Sequence, residues 1–203
     1  MKKLFIAATI ALFGFTANAQ EEQTFGFANG DVIVEGNLGY NNVNDKNTEE
    51  KTNEFSINPK AGYFVSDDLA VGIELSYNSA TQDVAGTETA DFSAFGAGVF
   101  ARYYFLDLGS RFTTYSELGL GFASAENKIA DVKSNGFGAG LGLGINYFVK
   151  ENIAINFGLT DVLSYNTSKV DADGAESVSE FNANLNVFNN FFQTAQFGLT
   201  FKF

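Results

Sequence analysis

The sequence predicts an all-β chain folded as a membrane-spanning, up-and-down antiparallel β-barrel of eight strands. Three observations predict it. Apolar residues alternate with glycine or polar residues at a strict period of two. The clearest case is Asn135 to Tyr147, where Phe137, Ala139, Leu141, Leu143, Ile145 and Tyr147 share one face and Gly136, Gly138, Gly140, Gly142, Gly144 and Asn146 the other. A helix, with its longer period, would scatter those glycines around its surface. No segment beyond residue 19 is an apolar run of helical length, so a crossing must be made by closed strands, the other way to satisfy backbone groups in lipid. The connections between alternating segments are short and long in turn, as tight turns at one end of a barrel and long loops at the other require. A soluble β-sandwich also alternates but has no reason to sort its connections in this way.

Each element follows in order. Met1, Lys2 and Lys3 precede an apolar stretch from Leu4 to Phe15, broken by Thr9 and Gly14, and the small-x-small triplet Ala17, Asn18, Ala19. These are the charged start, apolar centre and cleavage site of a secretory signal peptide over 1–19, cut after Ala19; a transmembrane anchor would need about 20 apolar residues. No Cys follows the cleavage site, so no lipid anchor is expected there. Residues 20–30 form a short lead and 31–203 the barrel. The two-faced pattern runs through Val32 to Tyr40, Phe55 to Val65, Leu69 to Tyr77, Phe95 to Phe105, Phe112 to Phe122, Asn135 to Tyr147, Ile153 to Leu159 and Ala195 to Phe203. Short connections fall at Ser66 to Asp68, Leu106 to Ser110 and Val149 to Asn152, long ones at 41–53, 79–90, 125–134 and 166–179. One stretch resists: Phe181, Ala183, Leu185 and Val187 alternate with Asn182, Asn184 and Asn186, and then Phe188 to Thr194 interrupts. A ninth strand would put the two chain ends on opposite sides of the membrane. The stretch is therefore read as an upper extension of strand eight with an irregular insertion.

Around the short turns the sequence repeats itself. Tyr63-Phe64-Val65, Tyr103-Tyr104-Phe105 and Tyr147-Phe148-Val149 recur at a spacing near forty residues, one hairpin plus its loop. They place an aromatic girdle at one membrane boundary, and Tyr40, Phe55, Tyr77, Phe95, Phe122 and Phe137 place another toward the long loops. By the same parity Glu35, Lys60, Glu74, Arg102, Glu117 and Lys202 point inward, three acids and three bases. Eight strands enclose an interior that side chains just fill, so these charges are expected to pair there, either as a plug or as a gate whose pairs exchange partners.

The run Ile57-Asn58-Pro59-Lys60-Ala61-Gly62-Tyr63-Phe64-Val65 with Asp68-Leu69-Ala70-Val71-Gly72, and the ending Phe197-Gly198-Leu199-Thr200-Phe201-Lys202-Phe203, carry a family likeness. Over essentially the whole mature length the chain resembles the outer-membrane β-barrel domain family of the Bacteroidota type, related to the opacity and OmpX-like small barrels. The resemblance implies residence in the bacterial outer membrane among lipid and lipopolysaccharide. It also implies a C-terminal aromatic, Phe203, recognised by the barrel-assembly machinery. Some members carry a further peptidoglycan-binding domain, which is not expected here.

Function is harder to read. Membrane barrels that act as enzymes commonly use a catalytic His, and this chain has none. A paired carboxylate site would need a ring-binding cleft that a narrow barrel lacks. No enzyme activity, cofactor or metal is expected. Asp171-Ala172-Asp173-Gly174 with Glu176 begins like a calcium loop, but its twelfth position is Asn182 rather than Glu. Loss of Lys2 and Lys3 takes the formal charge from -12 to -14, which repels nucleic acid. With no Cys in the chain, stability comes from elsewhere than disulfides. The expectation is a monomeric outer-membrane barrel with an occluded lumen, acting in membrane structure or in binding a cell-surface ligand through long acidic loops. The alternative is a small passive or gated porin-like channel.

Overall fold

A computed structural model of the chain describes residues 25–184 and 196–203. The signal peptide and the insertion at 188–194 lie outside those residues. The strands are β1 (Val32–Asp45), β2 (Glu50–Phe64), β3 (Leu69–Val84), β4 (Thr87–Leu108), β5 (Phe112–Asn127), β6 (Val132–Lys150), β7 (Ile153–Val170), β8 (Ser177–Ala183) and β9 (Gln196–Lys202). Each strand from β1 to β7 pairs antiparallel with the next. β7 then has two partners on its other edge: its upper part, Leu163 to Lys169, pairs with β8, and its lower part, Ile153 to Gly158, pairs with β9. β9 returns to β1, where Leu199 to Lys202 meets Ile33 to Gly36, and closes the barrel. β8 and β9 thus share the eighth place in the wall.

The long connections are a correction to the sequence reading. Positions 41–53, 79–90, 125–134 and 166–179 are mostly strand, prolonging each hairpin to a tight turn. β4 alone has 22 residues, about twice the roughly 9–11 that a tilted strand needs to cross a bilayer. The prolongations escaped notice because alternation marks a strand only where one face meets lipid; above the membrane both faces are wet. Polar cross-strand pairs hold them instead, such as Asn41 Nδ2 donating to Glu54 Oε2 at 3.1 Å. At the tip of β3–β4, Ala85 (φ 52°) and Gly86 (φ 79°) are both left-handed, the twist-compatible two-residue hairpin turn.

Burial is inverted relative to a soluble protein. Leu38 is 68% exposed, with Ile73, Val99, Leu118 and Phe197 also outside, while Arg102 is 1% and Glu35 6% exposed. An apolar exterior around a charged interior is stable only with hydrocarbon as the outer solvent. The upper aromatics lie at one height because register sets them opposite each other: Tyr40 with Phe55, Tyr77 with Phe95, Phe122 with Phe137. At the short-turn end the repeated triplets divide. Tyr63, Tyr103 and Phe105 face outward as a girdle, but Phe64, Tyr104 and Phe148 point in and are buried.

Candidate functional site

The lumen is built in three storeys. The middle one is ionic. Adjacent strands bring Glu35 and Lys60 opposite each other, then Lys60 and Glu74, and further round Arg102 and Glu117. Arg102 Nη1 donates to Glu35 Oε2 at 2.9 Å and Arg102 Nε to Glu117 Oε2 at 2.7 Å. Lys60 Nζ reaches Glu74 at 2.8 Å and Glu117 at 2.5 Å. Glu117 therefore bridges the two bases. Glu35 also accepts from Thr200 Oγ1 at 3.0 Å and from Asn156 Nδ2 at 3.3 Å, so its lone pairs are satisfied in the way a buried carboxylate requires. The guanidinium of Arg102 lies 4.2 Å from the centre of the Tyr115 ring, a cation–π contact in a dry setting.

Beneath this layer the lumen is filled with rings. Phe64, Tyr104, Tyr115, Ile33 and Ala70 form one buried cluster. The lead folds under the barrel and adds Phe27, whose ring stacks on Phe64 at 4.5 Å and packs against Tyr104 at 4.7 Å and Phe148 at 5.0 Å. Gly30 N donates to Phe64 O at 2.9 Å and Asn29 N to Asp67 Oδ1 at 2.9 Å, which fixes the lead in place. The sequence marks 20–30 as a short lead but does not show that it packs under the barrel, nor that the triplets send rings inward. The triplets carry rings at both parities, and the lead has no period.

Lys202 departs from the predicted network. It sits near the short-turn end, where Nζ donates to Gly26 O at 2.9 Å and lies 3.7 Å from Asp31. It ties down the lead, so the ionic layer holds three acids and two bases. Phe203 is exposed at the same end, with backbone hydrogen bonds in both directions to Val32. Among the described residues no group of three or more acids is placed to hold a metal ion.

Above the ionic layer the lumen opens into a cup of about 740 Å³ whose floor is Glu35, Arg102, Tyr115 and Asn156. Its walls are glycine backbone and small polar side chains. A second hollow of about 460 Å³ lies higher on β1–β4, beside Asn41, Asn78 and Phe92.

A closed antiparallel barrel with an apolar exterior and a charged interior defines an integral protein of the bacterial outer membrane, where such barrels reside. The chain belongs to the outer membrane protein beta-barrel domain family, whose model matches residues 7–203. It is 25% identical over 168 residues to outer membrane porin F of Pseudomonas fluorescens, covering 74% of this chain and 52% of that protein. The chain thus spans about half the length of that curated relative. Among solved structures it is similar in fold to the outer membrane protein OprG of Pseudomonas aeruginosa, with a TM-score of 0.52 and 14% identity over 90% of this chain and 99% of that one. It is also similar to Neisserial surface protein A, with a TM-score of 0.50 and 20% identity over 85% and 96% of the two chains.

Proposed function

We propose that the protein is a non-conducting outer-membrane barrel that acts in membrane structure or in surface binding through its long acidic hairpins. The observation that carries this reading is the double closure of the lumen: a layer of packed rings, sealed by Phe27, under a layer of paired charges. An ion crossing the barrel would have to displace both, and would give up its water among packed rings whose hydroxyls, on Tyr104 and Tyr115, are engaged with Arg102 and Asn156. The hairpin tips carry the exposed polar surface, with Asp171, Asp173 and Glu176 on β7–β8. The protein works as a monomer in lipid and lipopolysaccharide, and Phe203 serves the barrel-assembly machinery. It is not an enzyme, since it has no imidazole to act as a base near neutral pH. The test is planar-bilayer recording of the refolded protein. Silence at moderate voltage is expected, and steady, reproducible single-channel steps would overturn the reading.

A second reading, a gated pore, draws on the sharing of Glu117 between Lys60 and Arg102, since a bridging carboxylate can exchange partners. It requires Arg102→Ala to change ion flux; unchanged flux would count against it.

A further inference from the structure

We infer that the outward cup and the hollow above it form one binding site for a neutral saccharide. The two spaces lie on successive inward positions of the same strands: Asn37 then Gly39 on β1, Asn58 then Ser56 on β2, Ser76 then Asn78 on β3. The larger space falls within the roughly 300–1,000 Å³ range of small-ligand sites.

The glycines are informative because packing requires only some of them. A Cβ at Gly72 or Gly144 would collide with the ring of Phe100 or Tyr115, so those two make room for neighbours. At Gly140 an added Cβ would meet only Leu163 O at 3.7 Å, and at Gly119 only Glu74 Oε1 at 3.9 Å, both ordinary contacts. Glycine in a strand interior weakens it, yet here it stands where a side chain would fit. What it preserves is open space against bare backbone in the cup.

The chemistry of the walls selects the occupant. Asn58, Asn156, Asn166, Ser76 and Ser164 line the cup, and amides and hydroxyls both donate and accept, as sugar hydroxyls do. At the mouth Phe92 is inward-facing and 39% exposed. Its ring face suits the apolar C–H face of a pyranose. The carboxylates of the floor are engaged with Lys60 and Arg102, and Glu54, which lines the upper hollow, accepts from Asn41 Nδ2, so the acids of the site already have partners. Three acids against two bases in that floor, and thirteen acids against five bases over residues 41–54, 79–91, 125–134 and 166–180, repel anions. The occupant is therefore an uncharged sugar chain rather than a sulfated or phosphorylated one. The inference rests on the non-conducting reading only in treating the cup as blind from below.

The test is saturation-transfer NMR and calorimetry on the full protein in amine-oxide micelles, since sugar-headgroup detergents would compete. The probes are maltoheptaose, chitotriose, a sulfated heparin hexasaccharide and putrescine. Saturable binding of at least one neutral oligosaccharide is expected, at least tenfold tighter than the sulfated probe. Phe92→Ala and Gly140→Leu should each weaken it tenfold or more while the barrel still migrates as a folded, heat-modifiable species. No saturable binding of either neutral sugar, binding of putrescine alone, or undiminished binding in both folded variants would overturn the proposal. Conductance of the same preparation tests occlusion separately.

Discussion

At the scale of single residues, Arg102 holds the interior together. Its guanidinium contacts Glu35, Glu117 and Tyr115 at once, so Arg102→Ala leaves Glu35 without its base and Glu117 with Lys60 alone. Breaking a buried pair from one side costs about 3–5 kcal/mol. The expected result is a matching loss in urea unfolding measured from phospholipid vesicles, with Glu35→Gln combined with Arg102→Met recovering part of it. Alternation is enough to give the inward parity of Glu35, Lys60, Glu74, Arg102 and Glu117. It does not give height, and height separates Lys202 from the others by placing it among the residues of the lead. Phe64, Tyr104 and Phe148 share the parity of Lys60, Arg102 and Asn146 on their own strands, so alternation does point them inward; taking each triplet whole as a girdle obscures it.

At the scale of elements, the hairpins above the membrane are the part of the fold least legible in the sequence. Their residues resemble loop because neither face is apolar. They are strands because each continues a ladder already set in register inside the bilayer. The β3–β4 tip shows local chemistry lagging behind this demand. Ala85 holds a left-handed conformation that costs an L-residue with a simple Cβ roughly 1–2 kcal/mol, and Asn-Gly is the pair that such a turn favours. Ala85→Asn should therefore stabilise the barrel by about 0.5–1 kcal/mol. Equilibrium urea titration resolves a change of that size, and no change would place the strain elsewhere.

At the scale of the whole molecule, lipid is the missing half of the packing. Val99 lies midway along β4 between the upper ring of Phe95 and the lower ring of Tyr103, all facing outward. Val99→Arg should cost about 2–4 kcal/mol, the price of a base at the bilayer midplane, whereas Thr89→Lys, near the wet tip of the same strand, should be nearly neutral; vesicle unfolding of the two variants checks both. The wall itself is uneven. Among the described residues β1 pairs with β2 along its full length but with β9 only from Ile33 to Gly36, and this joint unites the strands farthest apart in sequence. Glu35 stands opposite Thr200 across that joint and is bound to Arg102 on the far wall. The ionic layer is thus a rivet set through the seam of the cylinder. Laying the last strand on the first completes the shell of donors around Glu35, so the seam and the charged interior share one fastening.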